Sequence, residues 1–427
     1  MHAHEKTAPR STVRVGTAAA AVLVLAAAVA HPSNAADWPQ FRGPHRDGIS
    51  AETGLATSWP DGGPKVLWRT PLGEGYSGLA VVGGRLFTLF SDDQDELVVA
   101  LDAASGKELW RFRLDAKYVD GQGSGPRSTP TVDDGVVYAL GARGKLAALD
   151  ASTGKRLWSQ DLKSAFGARA PTWGVSTSPL VEGDLLLLDA GGKPGAALVA
   201  LHKGSGVVAW TSETDKAGYA APITVTLAGR RQVIFFTGSR LVAVAPEDGS
   251  PLWDVGWSTS YDVNAATPIF IAPDKIFVAS GYDTGGALFR IVAQGQSLRA
   301  TEVWRTRGMK NQFSSSIYKD GHLYGFDNAI LRCLDASTGE ERWKARGFGH
   351  GSLTYADGHL IVLGDRGNLA LVEATPAEYR EKATAQPLTG KCWTVPTLAG
   401  GRLYLRNERE VVALEVAGQA GAAREAK

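Results

Sequence analysis

The sequence predicts an all-β protein assembled from about eight antiparallel sheets of four short strands each, and three observations support this. The pattern Asp-x-x-x-Gly-x-x-x-Trp recurs along the chain, most clearly at Asp150, Gly154 and Trp158. Each copy follows an apolar strand, which itself follows an alternating strand and a turn with glycine. From Trp68 to Trp343 there are 275 residues in six intervals, about 46 per unit, which is the size of one β-propeller blade.

The first 35 residues have the features of a secretory signal peptide. Lys6, Arg10 and Arg14 form a basic start, residues 17–30 are small or apolar without interruption, and small residues precede a cleavage position after Ala35. A run of 14 residues is short for a membrane span, so an uncleaved anchor is the weaker alternative. There is no cysteine near the cleavage position and no twin arginine. We therefore expect general export to the periplasm or the outside, without membrane insertion.

Residues 36–64 are predicted to be an irregular segment. The stretch from Asp37 to Gly48 is rich in proline and glycine, which excludes long regular structure. We expect Trp38 and Phe41 to pack this segment against the folded body, because buried aromatic side chains more often pack than bind ligands.

Residues 65–416 are predicted to form one propeller domain. Its units end on tryptophans that are expected to pack neighbouring blades together: Trp68, Trp110, Trp158, Trp210, Trp253, Trp304 and Trp343. The next unit has an atypical outer strand near Tyr379, and the last unit ends at Glu415 without a fourth strand. The strand at Trp68 has no unit of its own, so we expect it to complete the last blade and close the ring.

This arrangement gives an eight-bladed propeller. Seven blades is the alternative, if the degenerate unit from Phe289 to Trp304 is not a blade. Residues 417–427 are small and charged, and are expected to be a disordered tail.

Composition excludes several classes of function. The chain has 427 residues, a formal net charge of +1 and no run of lysine and arginine, which argues against a nucleic-acid partner or an anionic membrane surface. The two cysteines, Cys333 and Cys392, provide neither a disulfide framework nor a paired-cysteine zinc site. We expect two free buried thiols, although a single disulfide stays open in an exported protein.

The unit Ala-x-Asp-x-x-x-Gly-x-x-x-Trp resembles the tryptophan-docking repeat of the pyrroloquinoline quinone (PQQ) family of β-propellers, over residues 66–416. Asp37–Gly48, Gly281–Gly285, Met309–Ser316 and Lys391–Trp393 are similar to segments of an exported bacterial subgroup, the quinone-binding-like propeller repeat proteins. The resemblance implies eight blades and two contrasting functional groups. One contains calcium- and PQQ-dependent alcohol or sugar dehydrogenases, and the other contains non-enzymatic propellers such as the lipoprotein subunit of the outer-membrane barrel-assembly machinery.

In a propeller, the loops that lead into the innermost strands converge on one mouth of the central channel. Here they are predicted to present Tyr76, Arg127, Trp173, Tyr219, Asn264, Asn311, His350 and Trp393. This convergence predicts a pocket for a protein or a small-molecule ligand. The alternative is that these side chains only plug the channel and satisfy the ends of the strands.

The resemblance also suggests how a cofactor could be held. Aromatic faces and basic groups would suit the planar tricarboxylate PQQ, and the predicted cofactor-binding residues are Arg127, Arg169, Trp173, Tyr219, Lys310 and Trp393. A calcium ion needs oxygen ligands, for which we name Asp262, Asn264 and Asn311. Asp262 or Asp283 would be the catalytic base, and Asp189 is a third carboxylate near the mouth. Each of these carboxylates could equally be bonding a turn.

Several features depart from the quinone dehydrogenases. The chain has no adjacent cysteine pair and no Cys-x-x-Cys-His motif for a haem, and it is much shorter than those enzymes. The assembly lipoprotein, in turn, needs a lipid-attachment cysteine that this chain lacks. We therefore favour a monomeric, non-catalytic scaffold that binds its ligand or protein partner at the mouth without a cofactor. The alternative hypothesis is an alcohol or sugar dehydrogenase dependent on PQQ and Ca²⁺.

Overall fold

The computed structural model describes residues 1–2, 37–295 and 297–418. The predicted signal peptide beyond its first two residues, and the predicted tail from residue 419, lie outside the described residues. From residue 37 onward, the described chain belongs to one compact unit. None of its helices is long and apolar enough to cross a membrane.

The described chain forms eight four-stranded antiparallel sheets, which we number as blades 1 to 8. The strands are β1 (Val66–Pro71); in blade 1, β2 (Ala80–Val82), β3 (Arg85–Ser91), β4 (Asp95–Asp102) and β5 (Glu108–Ala116); in blade 2, β6 (Thr131–Asp133), β7 (Val136–Leu140), β8 (Lys145–Asp150) and β9 (Arg156–Asp161); in blade 3, β10 (Leu180–Glu182), β11 (Leu185–Asp189), β12 (Leu198–His202) and β13 (Val208–Ser212); in blade 4, β14 (Ile223–Leu227), β15 (Arg230–Phe236), β16 (Arg240–Val244) and β17 (Pro251–Gly256); in blade 5, β18 (Ile269–Ile271), β19 (Lys275–Ser280), β20 (Gly285–Gln294) and β21 (Ser297–Thr306); in blade 6, β22 (Ile317–Lys319), β23 (His322–Asp327), β24 (Ile330–Asp335) and β25 (Glu341–Ala345); in blade 7, β26 (Ser352–Ala356), β27 (His359–Leu363), β28 (Leu369–Glu373) and β29 (Glu381–Ala385); and in blade 8, β30 (Thr397–Ala399), β31 (Arg402–Arg406) and β32 (Glu410–Glu415). One short α-helix, α1 (Leu162–Phe166), and a 3₁₀ turn, Ser260–Asp262, are the helical elements of the described chain.

Strand β1 is the fourth strand of blade 8. It pairs antiparallel with β32, with Trp68 opposite Ala413 and Pro71 opposite Glu410. The first and last strands of the domain therefore share one sheet, which closes the ring and pairs two edges that would otherwise be open. The predicted all-β, eight-bladed propeller and its mode of closure are confirmed.

Each predicted tryptophan lies on the outermost strand of a blade and docks on the following blade. The indole Nε1 of Trp110 donates to the carbonyl oxygen of Ala151 at 3.1 Å, and that of Trp158 donates to Lys203 O at 2.9 Å. The same bond is made by Trp68, Trp210, Trp304 and Trp343. Each link buries a large ring and satisfies its N–H.

The repeated aspartate and glycine shape the turn that receives the ring. In blade 2, the Asp150 carboxylate accepts the backbone N–H of Ser152 and Thr153 at 3.0 and 2.8 Å. Gly154 has a φ of 72°, and a Cβ on it would lie 2.6 Å from the ring of Trp110. Glycine is therefore needed for its backbone conformation and for the space it leaves to the docked ring.

The degenerate unit is a true blade, so the alternative of seven blades is wrong. In blade 5 a long hairpin, β20 and β21, replaces the Asp-x-x-x-Gly turn. Trp253 of blade 4 therefore donates instead to the side-chain Oε1 of Gln232 within its own blade, at 2.6 Å. In blade 7, Thr375 O accepts from Trp343, whose ring centroid lies 5.7 Å from that of Tyr379.

Residues 37–64, which we call the N-terminal arm, pair locally with the ends of the ring's strands. Trp38 forms an isolated bridge with Val81 of blade 1, and its ring is buried. Further along, Leu55 bridges to Ala417, and Gly418 N–H donates to Gly54 O at 2.7 Å. The first residues of the predicted tail are thus hydrogen-bonded to the arm.

We predict that Gly154→Ala lowers the free energy of unfolding by roughly 2–4 kcal/mol, because it adds a clash with the docked Trp110 ring to the cost of a left-handed alanine. The matched control is Gly135→Ala, where φ is 74° and no atom lies within 4 Å of the added Cβ. The free energy of unfolding of Gly135→Ala should fall by only about 1 kcal/mol. Urea denaturation of both variants measures the difference, and equal losses would contradict the docking role.

Candidate binding site at the channel mouth

A cavity of about 380 Å³ lies at the channel mouth, where the loops precede the innermost strands. All eight blades and the N-terminal arm contribute to its lining. The lining residues are Phe41, Tyr76, Gly78, Gln122, Arg127, Thr129, Trp173, Ser176, Ser178, Tyr219, Ala221, Val263, Ala265, Tyr282, Gln312, Phe313, His350, Trp393, Thr394 and Val395. Its size is that of a pocket for a small organic molecule.

One half of the mouth is walled by a series of four rings from blades 1, 8, 6 and 7. The ring centroids of Tyr76 and Trp393 are 5.2 Å apart, those of Trp393 and Phe313 are 5.0 Å apart, and those of Phe313 and His350 are 6.0 Å apart. Lys391 Nζ lies 4.4 Å from the Trp393 ring and donates to Gln122 O at 2.8 Å. This wall is aromatic and carries a cation at its edge.

The opposite half is walled by rings from blades 3, 4 and 5. Trp173 lies 6.1 Å from Tyr219 and 5.9 Å from Tyr261, and Tyr261 lies 6.0 Å from Tyr282. Tyr261 stands at the rim with 68% of its surface exposed. A flat or apolar group that entered the mouth would therefore meet aromatic faces on both sides.

Arg127, from blade 2, lies between the two walls. Its guanidinium carbon is 4.7 Å from the Tyr118 ring and 5.8 Å from the Tyr76 ring. Its Nη2 donates to Gly123 O at 2.6 Å, and its Nη1 donates to Gly125 O. No carboxylate lies within 4 Å of this guanidinium among the described residues, and burial lowers its pKa. Its remaining N–H donors are available to an anionic group.

Two residues predicted for the mouth do not line the cavity. Asn264 and Asn311 are almost completely buried. The Asn264 side-chain oxygen accepts from Ser280 Oγ at 2.9 Å, and the Asn311 oxygen accepts from Ser316 Oγ at 2.9 Å. Both amide nitrogens donate to main-chain carbonyls. These amides join strand ends, as in the plugging alternative, because a carboxamide can satisfy a donor and an acceptor at once.

The predicted metal ligands are not brought together. Asp262, the third of them, is partly exposed and pairs with Lys216 at 2.7 Å. Asp283 is almost fully exposed and lies 3.5 Å from Lys310 Nζ, which is also 3.6 Å from Asp327. Across the described chain, no group of three or more His, Cys, Asp or Glu is placed to hold a metal ion.

The other predicted positively charged groups also lie apart from the cavity. Arg169 is exposed, and its backbone N–H donates to Gly191 O at 3.3 Å. Lys310 is occupied by the two carboxylates beside it. Of the six predicted cofactor-binding residues, the structure places Arg127, Trp173, Tyr219 and Trp393 in one cavity.

Four aromatic residues of the cavity or its rim are missing from the predicted site: Phe41, Tyr261, Tyr282 and Phe313. The sequence predicts a packing role for Phe41, and the structure places this residue in the cavity lining as well. The two tyrosines carry a signal in the sequence, since both precede an aspartate in a Tyr-Asp pair. Tyr261 and Asp262 have φ values of 64° and 58°, and Tyr282 and Asp283 have 55° and 61°. Two consecutive left-handed residues turn each tyrosine toward the mouth, and such strained backbone clusters at functional sites.

Asp189 and Glu96 are carboxylates buried near the mouth end of blades 3 and 1. Asp189 Oδ2 accepts from the Gly218 N–H at 2.9 Å, and Glu96 Oε2 accepts from the Ala142 N–H at 3.0 Å. The pKa of each group is raised to about 7, chiefly by burial, and the nearby Asp215 charge contributes to the shift of Asp189. They link loops to blades and do not line the cavity. Cys333 and Cys392 are free and buried, as expected.

The eight blades, six of whose junctions carry a docked tryptophan, and the aromatic mouth define a tryptophan-docked repeat propeller with a ligand-sized cavity. The chain belongs to the PQQ-like β-propeller repeat family. The sequence model of that family, described as outer membrane protein assembly factor BamB, matches residues 60–165, 94–345 and 327–420. No functionally curated protein matches the sequence significantly.

Solved structures of two kinds have a similar fold. BamB from Moraxella catarrhalis has a TM-score of 0.57 and 17% identity, over 82% of this chain and 98% of its own. Quinohemoprotein alcohol dehydrogenase from Comamonas testosteroni has a TM-score of 0.63 and 14% identity, over 91% and 82%. The quinohemoprotein alcohol dehydrogenase ADHIIG from Pseudomonas putida HK5 has a TM-score of 0.65 and 13% identity, over 90% of this chain and 81% of its own. At these identities the likeness shows the fold alone.

The cavity suits PQQ but does not suit the calcium ion that quinone dehydrogenases also require. Its aromatic walls and Arg127 suit a planar anion such as PQQ. Calcium needs six or more oxygen ligands with carboxylates among them. The described lining contains no Asp or Glu, and the oxygens of Asn264 and Asn311 already accept hydrogen bonds. These residues do not fit a calcium ion.

We predict that the stability of the protein falls as the pH rises from about 5 to 8. An unfolded aspartate or glutamate titrates near pH 4, so stability from the protonated forms of Asp189 and Glu96 is complete below that pH and is lost as the pH rises through about 7. The free energy of unfolding, measured by urea titration at about pH 5 and about pH 8, should differ less in Asp189→Asn than in the parent protein, by roughly 1–3 kcal/mol. Exposed Asp61→Asn is the control, and a fall unchanged by Asp189→Asn would contradict the assignment.

Proposed function

We propose that this protein is an exported, non-catalytic propeller that binds a small ligand with a flat apolar body and an acidic group in the mouth cavity. The observation that carries the proposal is the composition of the cavity wall. It combines aromatic rings on two sides with a guanidinium that has no carboxylate partner among the described residues.

The rings support the preference for a flat body. Aromatic side chains lose little conformational entropy on binding and give a large contact area, so they dominate small-molecule sites. Trp393 and Trp173 belong to opposite walls and both line the cavity. A planar group in the cavity can therefore lie against an aromatic face on either side and be removed from water.

The charges support the preference for an acidic group. Arg127 has free donors, whereas Lys391 lies 3.7 Å from Glu408 and is partly neutralised. A ligand carboxylate or sulfonate beside Arg127 would form charge-assisted hydrogen bonds, which are stronger than neutral ones. A cationic ligand would meet these two positive groups and no lining carboxylate in the described structure.

Binding without turnover agrees best with the positions of the carboxylates. Oxidation of an alcohol needs a base in contact with the hydroxyl group. Asp262 and Asp283, the predicted bases, pair with Lys216 and Lys310 and do not line the cavity. The second candidate function, a PQQ-dependent dehydrogenase, is favoured by the fit of the aromatic walls to a planar anion. Export is supported by the basic and apolar start of the sequence.

We predict that the aromatic anion 8-anilinonaphthalene-1-sulfonate binds in the mouth. Trp393→Ala and Arg127→Gln should each raise the dissociation constant of the dye about tenfold or more, because each removes one stacking or charged contact. Fluorescence titration measures this, with circular dichroism to confirm folding. Exposed Arg143→Gln, which lies outside the lining, is the charge-matched control. Equal affinity in all four proteins would contradict the proposed site.

We predict that PQQ stabilises the protein equally with and without Ca²⁺. A ligand at about 100 times its dissociation constant stabilises a fold by roughly 2.7 kcal/mol, which should raise the melting temperature by at least about one degree. Thermal melts with PQQ, with Ca²⁺ and with both will measure this. A shift that requires both, together with reduction of a dye by an added alcohol or sugar, would favour the dehydrogenase instead.

A further inference from the structure

The N-terminal arm enters the central channel beneath the mouth cavity. Phe41 lines the mouth cavity. The residues beside it line a second cavity of about 440 Å³, together with inner-strand residues of blades 3, 4 and 5; those arm residues are Gln40, Pro44, His45, Arg46 and Asp47. The mouth cavity is lined mainly by residues that precede the innermost strands, whereas the second cavity is lined mainly by residues of those strands. The arm therefore lies between two chambers of one channel.

We propose that the arm seals the channel and that Phe41 is the floor of the ligand site, so that Phe41 determines how long a bound ligand can be. The seal stands on the contacts of the arm alone. The role of Phe41 in ligand selection rests on the proposed binding function of the mouth cavity.

Arg46 ties the arm to blades 2, 3 and 4. Its Nη1 donates to Ser178 O and Pro222 O, both at 3.1 Å, and its Nη2 donates to Pro179 O and to Thr131 Oγ1. These acceptors lie at or just before the innermost strands of three blades, and Arg46 is only 3% exposed. One side chain thus satisfies backbone carbonyls that the channel would otherwise leave unpaired.

Arg42 ties the arm to blade 6 on the other side of the ring. Its Nη2 donates to Ser316 O at 2.6 Å and to Asp47 O at 2.7 Å, and its Nη1 donates to Ser315 O at 3.3 Å. Its Nε donates to Arg46 O at 3.2 Å, which joins the two anchors. Arg42 is 1% exposed, so Phe41 is held by a fully buried neighbour.

Hydrogen bonds on either side of these anchors reach blades 1, 7 and 8. Trp38 exchanges two backbone bonds with Val81 of blade 1, at 2.7 and 2.9 Å. Ser50 N–H donates to Tyr355 O of blade 7 at 2.8 Å, and the Glu52 carboxylate accepts the N–H of Gly401 in blade 8 at 2.8 Å. The arm is therefore held by hydrogen bonds at its start, at the two arginines inside the channel and at residues that follow them.

The local backbone also fixes where Phe41 lies. Arg42 and Arg46 adopt left-handed φ values of 64° and 57°, which are unfavourable for these residue types and are maintained by their buried bonds. Gly43 has a φ of 82°, and a Cβ there would lie 2.9 Å from the Trp38 ring. The chain around Phe41 is thus a tight turn, packed on one side by Trp38 and bonded on the other by two guanidinium groups.

A sealed channel limits the ligand in two ways. It can enter and leave only through the mouth, and its length is limited by the Phe41 ring. Removing that ring should connect the mouth cavity with the space beneath it, because Gln40 and Arg46 on either side already line the second cavity. Phe313 lines the wall of the same cavity and not its floor, which makes it the matched aromatic control.

The test compares 8-anilinonaphthalene-1-sulfonate with its covalent dimer, which has the same ring and acid groups at about twice the length. We expect Phe41→Ala to improve the affinity for the dimer relative to the monomer about tenfold, because deepening the site by several buried groups gives a gain of this order. Phe313→Ala should leave this ratio unchanged. A ratio that is the same in Phe41→Ala and the parent protein, with both folded, would overturn the role of Phe41.

The seal is tested without any ligand, by hydrogen–deuterium exchange of the intact protein. Backbone amides of residues 46–50 should exchange at least about 100-fold more slowly than in an unstructured chain, as buried hydrogen-bonded amides do. Arg46→Met should accelerate exchange in the arm while the inner amides of blades 1 and 7 stay protected. Rapid exchange of the arm in the parent protein would overturn the seal. If the arm is protected and neither dye binds the parent protein, the proposed function fails and the seal stands.

Discussion

The contact on which the architecture depends is the docking of one tryptophan ring on the next blade, at the turn between that blade's third and fourth strands. Five of the indoles fill the space over a left-handed glycine and donate to a backbone carbonyl there, as Trp110 does with Gly154 and Ala151. Because this contact sets the distance and angle between neighbouring blades, its repetition determines the curvature of the ring. Where the turn is replaced, in blade 5, Trp253 stays buried and finds its acceptor in Gln232. Burial and a satisfied N–H are the requirement, and the glycine turn is one way to meet it.

The ring creates a second requirement at its axis. Innermost strands have one edge without a strand partner, and buried carbonyls there need donors. Arginine suits this position because one side chain carries five N–H groups and can serve several blades, as Arg46 does. The desolvation of two cations is expensive, and it is offset by bonds to main-chain oxygens from several directions. Aromatic side chains then fill the wider mouth, where fewer backbone groups must be satisfied.

The repeat made the fold predictable, whereas the site was predictable only in part. Spacing of Trp, Gly and Asp is local information, so the blades, their number and the closure by Trp68 follow from it. Tyr76, Arg127, Trp173, Tyr219, His350 and Trp393 follow from their positions before inner strands. Asn264 and Asn311 occupy equivalent positions, but their side chains turn inward to Ser280 and Ser316. The burial of Arg42 and Arg46 depends on carbonyls that lie 274 and 132 residues away in sequence, which no local pattern reveals.

Closure of the ring by β1 and β32 has a consequence for how the chain folds while it is being synthesised. During synthesis, seven blades can be assembled while the eighth still lacks its inner three strands. The nascent protein is then an open ring with two unpaired sheet edges. The arm cannot complete its bonds either, because its partners extend to Gly401 and Ala417. Residues 397–415 therefore complete the ring, and a chain that lacks them would leave two sheet edges able to pair with other copies of itself.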